Sequence, residues 1–278
     1  MPFKTILVYC DSSETTRNRL ALAVGLAERF GSTLIGVHAR PPFQPVTFME
    51  SSIGMDALLN AHQESVRRDE TAARAMFDDA VKGKPRTTEW RAVDGHPDEV
   101  LALHARYADL VIAGQAAPPE KAAYATPDDM PESVALASGR PVLVVPHIGA
   151  PPRIGKTIML CWNASREAAR VASEALPLLQ AAENVIVLVV DPKPGDGHGQ
   201  EPGADVATWL ARHGIKVTVH REPAADDVGA IILSRAFDHG VDLIIMGIYG
   251  HSRMRELILG GASRTMLSSM TVPVFMAH

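Results

Sequence analysis

Cysteine is nearly absent from this chain. Cys10 and Cys161 are the only two in 278 residues, so neither a disulfide framework nor a thiolate metal cluster can be built from them. Each falls within the first apolar segment of its half, where a buried free thiol is expected. Long hydrophobic runs are missing as well: none approaches the ~20 residues of a membrane span. No block of lysine and arginine stands out and the net charge is −5, which argues against a nucleic-acid surface. Met1-Pro2-Phe3-Lys4 leads straight into an apolar segment with no signal-peptide pattern, so a cytoplasmic location is expected. The patterns His-x-x-x-His, Cys-x-x-Cys and Gly-x-Ser-x-Gly do not occur, and the eleven histidines are scattered. Asp191, Asp196, His198 and Glu201 cluster in or beside the Gly/Pro-rich stretch from Pro192 to Gly203; a solvated loop and a metal site both fit that stretch.

What is present is ordinary globular material. Hydrophobic residues make up 46% and charged residues 21%, and the length suits two domains that each bury a core. The chain also repeats itself. An offset of 152 carries Lys4-Thr5-Ile6 onto Lys156-Thr157-Ile158 and Ser13 onto Ser165. An offset of 133 carries Ala108-Asp109-Leu110 through Gly114 onto Val241-Asp242-Leu243 through Gly247. The first half therefore holds about twenty more residues, expected between Arg40 and Asn60, where Pro41, Pro42, Pro45 and Gly54 interrupt regular structure. The boundary is expected at the stiff linker Gly149-Ala150-Pro151-Pro152-Arg153, giving domains 1–150 and 153–278.

Strands alternate with helices in each half. In the second, strands are predicted at 157–162, 185–190, 215–220, 242–246 and 272–277, and helices near 166–182, 203–213, 226–239 and 262–269. Continuous apolar runs at the first, second and fourth strands mark a parallel sheet covered on both faces. The predicted fold class is α/β: two doubly wound, open parallel five-stranded sheets in tandem. Ligands of such sheets gather at the carboxyl ends of the strands, where Asn163, Val190 and Gly247 fall.

Gly247, two residues, Gly250, nine residues, Gly260 and then Gly261 form the most informative pattern in the chain. It starts where the apolar run Asp242–Met246 ends, and Gly261-Ala262-Ser263 opens a predicted helix. Glycines there let backbone N–H groups approach an anion with no Cβ in the way, and the helix N-terminus adds partial positive charge. An ordinary tight connection between strand and helix is the competing explanation. The spacing resembles the nucleotide loop of the universal stress protein family, Gly-x2-Gly-x9-Gly-(Ser/Thr). The openings Lys4–Ser13 and Lys156–Ser165 and the closing strands at Arg140–Val145 and Val272–Ala277 extend that resemblance over nearly the whole chain.

The resemblance implies a regulatory or stress-response protein that binds an adenine nucleotide (ATP, ADP or AMP, with or without Mg²⁺). It implies no rapid chemistry, since the loop lacks the Gly-Lys-(Ser/Thr) ending of a phosphoryl-transfer loop. Two alternatives stand beside it: a protein-interaction module with no nucleotide, and a slow nucleotide hydrolase. The implied site comprises Asn163, Ala164, Val190, Gly247, Gly250, His251, Ser252, Gly260, Gly261, Ala262 and Ser263. Asn163 stands where the family usually has Asp, and fits both an adenine reader and a turn or capping residue. Gly261 replaces a family Ser/Thr, keeping the N–H and losing a hydroxyl. Ser263 could replace that hydroxyl or simply satisfy a helix end. In the first half Asp11 is present, but Ala117 and Pro127 stand at or near the second and third glycine positions, with Glu120, Asp128 and Asp129 nearby to repel phosphate. That half reads as an internal partner, the two halves forming a pseudo-dimer, with a further homodimer also open.

Overall fold

The computed structural model describes residues 2–44, 55–84, 87–116, 127, 129–190, 201–223, 227–248 and 261–278. The first half contributes β1 (Thr5–Tyr9), α1 (Thr15–Phe30), β2 (Thr33–Arg40), α2 (Met55–Val81), β3 (Thr88–Asp94), α3 (Pro97–Ala105), β4 (Leu110–Gly114), α4 (Met130–Ser138) and β5 (Val142–Val145). The second contributes β6 (Thr157–Cys161), α5 (Arg166–Glu174), α6 (Leu176–Leu179), β7 (Asn184–Val190), α7 (Ala204–Arg212), β8 (Val217–Glu222), α8 (Val228–Asp238), β9 (Leu243–Gly247), α9 (Gly261–Ser269) and β10 (Val274–Ala277).

Within each half the five strands are parallel and lie in the order third, second, first, fourth, fifth. The halves do not form separate sheets. β5 and β10 pair antiparallel, Val142 opposite Met276, Leu143 opposite Phe275 and Val144 opposite Val274, so the ten strands make one sheet. All six residues are fully buried, and this junction is core rather than rim. The pairing gives the pseudo-dimer its physical form.

Alternation along the strands feeds two helical layers. Ile6 and Val8 of β1 face a core completed by α1, α2, α5, α6 and α7. Leu7 and Tyr9 face the opposite core, completed by α3, α4, α8 and α9. Burying each such aliphatic side chain contributes about 1.5–3 kcal/mol. Two aspartates repeated at the 133 offset fix where the central strands begin. Asp109 accepts from the amides of Lys4 and Thr5 at 2.7 and 2.9 Å, and Asp242 accepts from those of Gly155, Lys156 and Thr157 at 3.0–3.2 Å.

Three expectations need correction. The helix expected over 166–182 breaks at Ala175 into α5 and α6, because Pro177 has no N–H and its ring crowds the carbonyl one turn earlier. The surplus of the first half lies mainly in α2, 27 residues against 9 in α7, rather than in the proline-rich stretch before it. Cys10 lies just past β1 and is buried, whereas Cys161 ends β6 and is only half-buried; both are free thiols.

Candidate functional site

In the second half the strand register brings the predicted residues to one edge of the sheet. Cys161 pairs with Leu188 and Leu160 with Ile245, and the amide of Trp162 donates to the Leu188 carbonyl at 2.8 Å. Asn163 follows β6 by two residues, Val190 ends β7 and Gly247 ends β9. Asn163 is exposed, and its Oδ1 accepts from the Ser165 amide at 3.2 Å. Ala164 stands at φ 57°, a left-handed conformation that costs an alanine roughly 1–2 kcal/mol. Ser165 then caps α5, its hydroxyl accepting from the Ala168 amide at 3.1 Å. On the far side, Gly261 and Ala262 open α9, and Ser263 in its first turn is only 5% exposed. Gly250, His251, Ser252 and Gly260 lie outside the described residues, as does the 191–200 part of the acidic loop. Among the described residues no group of three or more histidine, cysteine, aspartate or glutamate side chains could hold a metal.

Gly247 is required by close approach. A Cβ there would stand 2.6–2.9 Å from Glu167 and the Ala168 amide, so the first turn of α5 rests directly on the end of β9. That contact carries a charge invisible in the sequence pattern. Glu167 is 5% exposed, and its carboxylate pairs with Arg166 at 3.1 Å. Burial pushes the carboxyl up, but its own backbone N–H, Arg166 and nearby His278 outweigh this and hold the pKa below the usual glutamate value. The His278 ring shares a 3.1 Å hydrogen bond with the Ile248 carbonyl, tying the last residue to the same strand end.

The corresponding edge of the first half is built differently. Asp11 occupies the position of Asn163, but it is buried and pairs with Arg19 of α1 at 2.9 Å. Its Oδ1 also accepts from the Ser13 amide at 3.0 Å, the Thr16 hydroxyl at 2.6 Å and the Ser13 hydroxyl. Burial alone would raise this carboxyl; Arg19 and the Ser13 and Thr16 donors outweigh it and hold the pKa below the normal aspartate value. Arg19 also donates to the Tyr9 carbonyl at 3.2 Å and to Thr16 at 2.6 Å, and is itself 3% exposed. A Cβ on Gly114, the counterpart of Gly247, would collide with Arg19 Nη1. The guanidinium thus occupies the strand-end space beside Asp11. The 152 offset places Val171 opposite Arg19, and Val171 is fully buried in the core, so the buried arginine of α1 has no counterpart at that position of α5. Arg19 is one of three arginines in α1, with Arg17 and Arg29, and no motif in the sequence singles it out for this position.

Comparison with known proteins follows the same division. The model of the universal stress protein family matches residues 2–146 and again 155–278. No curated protein sequence matches the chain. Among solved structures, a universal stress protein from Archaeoglobus fulgidus DSM 4304 is 17% identical with a TM-score of 0.70, covering 98% of this chain and 95% of its own. A putative universal stress protein from Pseudomonas aeruginosa UCBPP-PA14 is also 17% identical, with a TM-score of 0.63 and coverages of 99% and 93%. A functionally unknown protein from Pseudomonas aeruginosa PAO1 is again 17% identical, with a TM-score of 0.61 and coverages of 99% and 92%. At these identities the likeness is one of fold. Matched once in each half by the family model, the chain belongs to the universal stress protein family.

Proposed function

We propose that the protein is a regulatory, adenine-nucleotide-binding member of its family, working in the cytosol with one competent site in domain 153–278. Domain 1–150 serves as its built-in partner. The asymmetry of the two strand edges carries this reading: the first is filled by the Asp11–Arg19 ion pair, while in the second Val171 stands at the position of Arg19 and Asn163 is exposed. The base would lie against Asn163, Ala164 and the β7 end at Val190. The phosphates would meet the loop from Gly247 through Gly250, His251, Ser252 and Gly260, and then the α9 N-terminus at Gly261, Ala262 and Ser263. Any Mg²⁺ would arrive with the nucleotide. Neutral Asn163 reads the adenine amino group without adding charge, so discrimination against GTP rests on hydrogen-bond pattern alone.

Titration of the whole chain with ATP should give one site, and Gly250→Val should lower affinity at least tenfold, about 1.4 kcal/mol, with the fold retained. Two sites of equal affinity would overturn the assignment of the first half. A folded Gly250→Val protein that binds as tightly as the wild type would reduce the loop to a turn. If denatured protein releases no nucleotide and none binds, the interaction-module reading takes over; that reading draws support from Asn163, whose Oδ1 already accepts the Ser165 amide.

A further inference from the structure

A cavity lies far in sequence from the glycine loop. Residues of α1 and α2 and the linker residues Pro151, Pro152 and Arg153 line a cleft of about 550 Å³. That volume suits a single small molecule; pockets of this kind run ~300–1,000 Å³. Its floor is apolar. Leu20 and Val24 of α1 meet Met76 and Ala80 of α2, and the prolines add a further apolar wall. The linker wall is held in place: Arg29 donates to the Ile154 carbonyl and to the Ala181 carbonyl, both at 2.9 Å.

The rim is charged in an unbalanced way. Lys84 faces Glu28 at 3.7 Å, and Asp79 adds one further carboxylate. Against these stand Arg17 from α1 and Arg153 from the linker, both exposed and neither in an ion pair among the described residues. Two such unpaired cations lining an apolar cleft suit an amphiphile better than a fully polar ligand. An apolar body would displace water from the Leu20–Met76 floor, and a carboxylate head would accept hydrogen bonds from a rim guanidinium, which can donate in bidentate fashion. Among the described residues of the second half α7, the counterpart of α2, spans 9 residues against 27 and is too short to build the same wall.

We propose that this cleft binds a small amphipathic anion, an acyl or aryl body carrying one carboxylate, independently of the nucleotide site. Decanoate below its micellar concentration is a suitable probe, followed by isothermal titration against the full chain. One decanoate should bind per chain, and saturating ATP should leave its affinity unchanged. Decanol, which lacks the charge, should bind at least tenfold more weakly. Arg17→Glu together with Arg153→Glu, both exposed and harmless to packing, should weaken decanoate at least tenfold. Met76→Trp should abolish binding by filling the floor, with its melting temperature checked alongside. Absence of decanoate binding at millimolar concentration would overturn the proposal. So would equal binding of decanol, or an unchanged affinity in the double charge reversal. Competition by ATP would place the ligand in the nucleotide site instead, and a decanoate isotherm that persists when ATP is absent from a Gly250→Val protein separates this cleft from that one.

Discussion

Asp11 and Arg19 show how one side chain can settle what a strand end does. The pair is nearly solvent-free, and breaking it from one side leaves an uncompensated buried charge, at about 3–5 kcal/mol. Arg19→Val alone should therefore destabilise strongly. Asp11→Asn with Arg19→Val, which writes the second half's residues into the first, should cost less than the two single changes summed, by roughly 0.5–3 kcal/mol. Denaturant melts of the four proteins measure this; strict additivity would mean that the pair is not coupled. The pH sign follows from the depressed Asp11 pKa. Its stabilisation is present above the unfolded value near 3.9 and is lost as pH falls through the lower folded value. Below pH ~4 the wild type should lose stability that Asp11→Asn never had, so their difference should shrink on acidification.

Ala164 makes a second prediction at this scale. Its left-handed φ of 57° is strained for any side chain, and glycine relieves it. Ala164→Gly should stabilise the fold by ~0.5–1 kcal/mol, less than the whole strain because glycine also gains freedom in the unfolded chain. A measured loss of stability would show that the alanine methyl makes packing contacts worth more than the strain. The resemblance placed Ala164 in the site, but nothing in the sequence marks its left-handed backbone, since alanine is not a turn former. Its neighbour Ser165, by contrast, was legible as the counterpart of Ser13, though only Ser165 caps its helix.

Among the elements, α5 packs against the strand end of the proposed site. Its first turn sits on Gly247, and a single methyl there meets backbone rather than a flexible side chain. Gly247→Ala should push α5 away from β9, lower stability by about 1–3 kcal/mol and weaken ATP at least as much as Gly250→Val does. Unchanged ATP affinity would detach α5 from the binding edge. The strands were readable because their apolar runs are continuous, as at Leu243–Met246, where burial on both faces leaves no polar alternation. α2 was harder to place. Only Ala73 and Phe77 of its 27 residues are fully buried, so its apolar stripe is thin, and exposed pairs such as Arg74–Asp78 support it locally. Pro41 and Pro42 drew the surplus toward the stretch before the helix, whereas the proline that altered a helix was Pro177. The glycine spacing pointed to the strand edge proposed for the nucleotide; Glu167 and Arg19 were not legible, because each is buried by contacts with strands distant in sequence.

For the molecule as a whole, the β5–β10 junction is the decisive contact. Each half alone would expose a strand of four buried apolar residues with unpaired backbone groups. Separately produced 1–150 and 153–278 chains should consequently associate, with each other or with themselves, rather than remain monomeric. Light scattering on each and on the mixture tests this, and two stable monomers would show that the junction is dispensable. The Gln115 side chain reinforces the seam: its Nε2 donates to the Leu267 and Ser268 carbonyls at 2.9 and 3.2 Å, and its Oε1 accepts from the His147 amide at 3.0 Å.

Joining the halves in one chain also changes what each is free to become. Two separate copies meet only as often as their concentration allows, and each must keep its edge, its loop and its solubility intact while waiting. A short linker holds the partner edge at an effective concentration on the order of millimolar, whatever the abundance of the protein. The first half can then let its strand-end chemistry drift, fill the space with Arg19 and lengthen α2, without forfeiting the assembly that shelters β10.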